Sequence, residues 1–140
     1  MPEERQLRLF ASRFQRGVQL PPPKEQELHI QLADILKAWI MPRWRYSHLP
    51  LGEYRDKATA AKLKAMGVVA GLPDFMFVGP GTVFFLELKR PGSGRLSDAQ
   101  LIWMRHIMAS GFGYLATTDL KDAVEELKAM GIVRDGVHVQ

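Results

Sequence analysis

Residues 71–100 read GLPDFMFVGPGTVFFLELKRPGSGRLSDAQ, and the fold turns on this stretch. Gly79, Pro80 and Gly81 are turn formers between two apolar runs, the signal of a hairpin. The second run, Thr82-Val83-Phe84-Phe85-Leu86, is dense in residues that favour strands. Side chains alternate along a strand, so Val83, Phe85, Glu87 and Lys89 share one face and Phe84, Leu86 and Leu88 the other. Apolar residues on both faces predict a central strand covered on both sides. That strand nevertheless ends in a carboxylate and an ammonium on the same face.

Buried ions cost several kcal/mol unless something compensates them. A hairpin turning at 79–81 brings Asp74, just after Pro73, opposite Glu87. Two neighbouring carboxylates repel, and a divalent cation removes the conflict. Oxygen donors favour a hard ion, Mg²⁺ or Mn²⁺. Lys89 beside that ion is placed to hold a phosphate oxygen or an attacking water.

Pro73-Asp74, twelve intervening residues, then Glu87-Leu88-Lys89 resembles the PD-(D/E)xK nuclease signature. Met66-Gly67-Val68, Gly71-Leu72-Pro73-Asp74, Leu86-Glu87-Leu88-Lys89 and Gly94-Arg95-Leu96-Ser97 with Gln100 resemble its VRR-NUC branch, from phage and bacterial proteins. The likeness runs from about residue 25 to about 131. It implies an α/β core of order α-β-β-β-α-β and metal-dependent hydrolysis of DNA. It implies metal ligation by Asp74, Glu87, the Leu88 carbonyl and a glutamate of the first helix, with Lys89 catalytic and Gln100 facing the site. It also implies branched DNA, such as four-way junctions or flaps, as substrate, and a symmetric dimer. Two related cuts in a two-fold junction suit such a dimer. A non-catalytic nucleic-acid-binding module of the same fold is the alternative; it would have lost a site carboxylate or the lysine.

Composition sets the bounds. The 140 residues suffice for one domain with a real core. Hydrophobic content of 46% and charged content of 24% are ordinary for a globular protein. The absence of cysteine removes disulfides, thiolate metal sites and a cysteine nucleophile. No apolar run approaches the roughly 18 residues of a membrane span, and the first residues lack a signal-peptide core. The resemblance implies a protein of the bacterial or phage-infected cytoplasm, and the lack of a span agrees with no membrane partner. A formal net charge of +4 suits a polyanionic partner.

Residues 1–22 read as a basic arm, with Arg5, Arg8, Arg13 and Arg16 among apolar residues, ahead of a domain spanning 23–140. Lys24 to about Met41 predicts the first helix, with Leu28, Leu32, Ile35, Leu36 and Trp39 on one stripe and Pro42 beyond it. Helical spacing puts Glu25 on the stripe side and Glu27 off it, so periodicity favours Glu25 as the ligand. Dipole complementarity also explains an acid at that end. Residues 44–49 alternate like a strand, and His48 reads as a packed strand histidine with no second histidine at ligand spacing. The charged segment 53–57 leads into a helix over 56–66; Arg55 and Lys57 are expected to line a substrate groove, and Arg90 and Arg95 to edge it as further phosphate contacts.

Ser97 and Gln100 have capping-box spacing, which accounts for the pair as well as the resemblance does. A helix over 98–110, a buried strand over 112–117 and a helix from Thr118 or Asp119 to about Met130 follow. Residues 132–139 suggest a small terminal hairpin. The order predicts a mixed sheet flanked by helices.

Overall fold

The computed structural model describes residues 24–50, 56–92 and 94–139. The elements run α1 (Glu25–Trp39), β1 (Arg45–His48), α2 (Lys57–Ala65), β2 (Phe75–Gly79), β3 (Thr82–Leu88), α3 (Asp98–Ala109), β4 (Gly113–Thr117) and α4 (Leu120–Ala129). The four strands form one open sheet in the order β1-β2-β3-β4. The first three are antiparallel, and β4 joins β3 in parallel. A parallel partner needs a crossover connection, which α3 supplies.

The β2–β3 register pairs Phe75 with Leu86 and Gly79 with Thr82. The strands therefore stop one residue short of Asp74 and Lys89, and both charges leave the sheet at the same end. Alternation along β3 sorts its side chains as expected. Phe84, Leu86 and Leu88 pack with Phe75 and Phe77 against Leu28, Leu32 and Leu36 of α1 and Ala123, Val124 and Leu127 of α4. Phe85 packs on the other face with Tyr114 and Ala116 against Met104 and Ile107 of α3. At about 1.5–3 kcal/mol per buried large aliphatic side chain, the α1 stripe is a main anchor of that helix to the sheet.

Local chemistry sets the helix starts. Asp56 caps α2 by accepting from the Thr59 amide at 2.7 Å, and Asp119, rather than Thr118, caps α4 by accepting from the Lys121 amide at 2.8 Å. Helix α2 has no buried residue and lies against the solvent along its whole length.

The expected terminal hairpin does not form. Val133 instead makes a bridge to Ile40, and the Met41 amide donates to the Ile132 carbonyl at 2.8 Å. A two-stranded ribbon of so few residues is marginal by itself. Against the end of α1, Ile132, Val133 and Val137 become buried. No helix among the described residues is long and apolar enough to cross a membrane.

Candidate metal and phosphate site

At the end of the sheet where β2 begins and β3 finishes lies an open cleft of about 630 Å³. Glu25, His29, His48, Asp74, Glu87, Lys89 and Gln100 line it together with Pro50, Gly71 and Ser97. Asp74 is the hub. Its amide donates to Glu87 Oε2 at 3.1 Å. Its Oδ2 accepts from the Leu88 amide at 2.9 Å and lies 3.1 Å from His29 Nε2. Its carbonyl accepts from the Leu49 amide and, at 2.8 Å, from His48 Nδ1. A carbonyl only accepts, so that contact puts the proton of His48 on Nδ1.

Glu87 is only 1% exposed. Its Oε1 accepts from Gln100 Nε2 at 2.8 Å and lies 3.3 Å from Lys89 Nζ. Burial, then the charge of Asp74, pushes its carboxyl up to about 8 against the pull of Lys89. Three N–H donors thus face a carboxylate whose surroundings still resist its charge. Burial, with the charges of Glu87 and Asp74, also pushes the Tyr114 hydroxyl up.

The two glutamates at the start of α1 are engaged differently. Glu27 turns back and accepts from the Lys24 amide at 3.3 Å, while Glu25 lines the cleft. Gln100 does both things expected of it: Oε1 accepts from the Ser97 amide at 2.9 Å, closing the capping box, and Nε2 reaches Glu87. The Leu88 backbone lies at the site through its amide. Gly71 makes this assembly possible. Its φ is +100°, and a Cβ there would stand 2.5 Å from the Ala99 backbone, so only glycine lets the Asp74 loop approach the first turn of α3.

Three of the four expected groove cations do not line the cleft itself. Lys57, Arg90 and Arg95 are exposed and do not belong to the cleft lining; Arg55 falls outside the described residues.

His29 is the residue that sequence reading passed over. It lies four residues after Glu25, on the same side of α1, which was the available signal. Ligand spacing along the chain gave no second histidine for His48, yet the fold sets the two rings 4.8 Å apart. Burial works against a charged His29, but the hydrogen bond and charge of Asp74, then Glu25 and the Leu88 carbonyl, outweigh it and raise its pKa. Glu25, His29 and Asp74 each offer a ligand atom within 4.8 Å of the others. Two carboxylates and an imidazole opening on one cleft are a donor set suited to a divalent cation.

Compared with family models, curated proteins and solved structures, the chain matches none.

Proposed function

We propose that this protein is a divalent-metal-dependent DNA endonuclease with a PD-(D/E)xK-type core of the VRR-NUC kind. The observation that carries this reading is the convergence of Asp74, Glu87 and Lys89, from the facing ends of two strands, with Glu25 of α1 on one cleft. Glu25, Asp74 and Glu87, with the Leu88 carbonyl, would hold Mg²⁺ or Mn²⁺. Such an ion supplies Lewis-acid polarisation of the scissile phosphate. Lys89, anchored through Glu87, offers an ammonium to a phosphate oxygen or to the attacking water. Gln100 donates to the same Glu87 oxygen, Oε1, that Lys89 approaches. Arg55, Lys57, Arg90 and Arg95 contribute sequence-independent attraction for phosphates around the cleft. Branched DNA is the proposed substrate and a symmetric dimer the proposed assembly.

The test is incubation with labelled linear, flap and four-way DNA in Mg²⁺, Mn²⁺ or EDTA. Cleavage should require metal and fall by about 10²–10³-fold in Asp74→Ala and Lys89→Ala, on the order seen when a transition-state-stabilising group is removed. Cleavage persisting in EDTA or in those variants overturns the metal mechanism. Binding without cleavage of any substrate favours a non-catalytic module.

A further inference from the structure

Glu87 and His29 stand on opposite sides of Asp74 and are differently engaged. Both Glu87 oxygens already accept N–H donors, from Asp74, Gln100 and Lys89. On the other side, Asp74 Oδ2 faces an imidazole nitrogen at 3.1 Å. Ligands at about 2.1 Å in neighbouring positions of an octahedral ion stand about 3 Å apart, so these two atoms already have the spacing of a shared ion. Glu25 joins them within 4.8 Å, and the Leu88 carbonyl acts on the same imidazole. The ring packs edge-on against Phe75 at 5.6 Å, and the His48 ring lies tilted beside it at 4.8 Å. His29 and Asp74 side chains are each 15% exposed, enough for an ion to enter and little enough to hold the ring's orientation.

We infer that His29 is an inner-sphere metal ligand, with Glu25 and Asp74, and that it biases the site toward Mn²⁺ and the later first-row ions over Mg²⁺. This rests on the proposal that a divalent cation occupies the cleft. The physical reason is donor type. Magnesium favours oxygen and water, whereas an imidazole nitrogen gains affinity along the first-row series from manganese onward. An all-oxygen site would lack this bias.

The test uses the full chain loaded with Mn²⁺ and reads nitrogen coupling in the electron spin-echo signal. Wild type should show ¹⁴N modulation from a directly bound imidazole. His48→Gln should keep it, and His29→Gln should lose it while still binding Mn²⁺ through the carboxylates. Titration calorimetry should show the ratio of Mn²⁺ to Mg²⁺ affinity falling by about tenfold in His29→Gln. Should that variant not fold, the wild-type and His48→Gln spectra decide. Bound Mn²⁺ without ¹⁴N modulation in wild type, modulation lost in His48→Gln, or an unchanged affinity ratio overturns the role of His29 and leaves the metal reading standing. Failure of wild type to bind either ion overturns both.

Discussion

At Gln100 the two ends of one amide meet opposite demands. The Ser97 amide needs an acceptor and the Glu87 carboxylate needs a donor, so the orientation of the side chain follows. A Gln100→Glu variant keeps the cap but sets a second negative charge against a buried one. It should be less stable than wild type at pH 8 in EDTA and recover on acidification or on adding Mn²⁺, measured by thermal melting; Ser97→Ala, which loses only the cap, should cost about 1 kcal/mol at either pH. Equal pH behaviour of the two variants would mean that Gln100 acts only as a cap. Glu87 itself makes a linkage prediction for the metal-free protein. Its folded pKa of about 8 lies above its ordinary 4.5, so the folded state keeps a proton that the unfolded chain releases. Its stabilising contribution is complete below about pH 4.5 and drains away as pH rises through 8. The raised His29 acts in the same direction. Denaturation midpoints in EDTA should therefore fall between pH 5 and 8.5, and saturating Mn²⁺ should flatten the slope. A midpoint that climbs over that range contradicts the proton assignment.

Among the elements, α1 and α3 hold the cleft from two sides of the sheet, and each can be displaced separately. Gly71→Ala forces a Cβ into the Ala99 backbone at a positive φ, whereas Gly67→Ala meets nothing within 4 Å at a φ of +99°. Both incur backbone strain of about 1–3 kcal/mol. Only Gly71→Ala should also move Gln100 away from Glu87 and weaken Mn²⁺ binding, so calorimetry on the pair separates strain from site geometry. Equal Mn²⁺ affinity in both variants would remove Gly71 from the site's construction. Helix α2 has a different character. It has no buried residue, and its residues are not among those that line the cleft. Lys57 and Lys64, seven residues apart, share one side of it. If α2 meets the DNA backbone, Lys57→Ala with Lys64→Ala should weaken DNA binding and reduce its dependence on salt concentration by about two charges. Mn²⁺ affinity should stay unchanged. An unaltered salt slope would place α2 away from the DNA.

For the whole molecule, the sheet end carries a local negative balance against a positive net charge. Three carboxylates and one lysine converge on one cleft in a protein whose net charge is +4. Mn²⁺ binding to the folded state should therefore raise the melting temperature with concentration, as mass action requires. Asp74→Asn should abolish most of that rise, since Asp74 contacts Glu87, Leu88 and His29 at once. A rise of equal size in that variant would locate the bound ion elsewhere.

What the chain alone determined was local and periodic. Alternation along residues 82–88, the turn at 79–81, the stripe of α1, the capping residues and the pairing of Asp74 with Glu87 all depend on short-range geometry or on a hairpin whose register its turn dictates. The tertiary fold decided two other things. It brought α1 across the sheet end, so that His29 meets Asp74 across 45 residues. It also drew residues 132–133 to Ile40 and Met41 in place of a hairpin. Each is a contact between distant segments, won by burial or charge that no local pattern carries, whereas strand and helix periods are written residue by residue into the sequence.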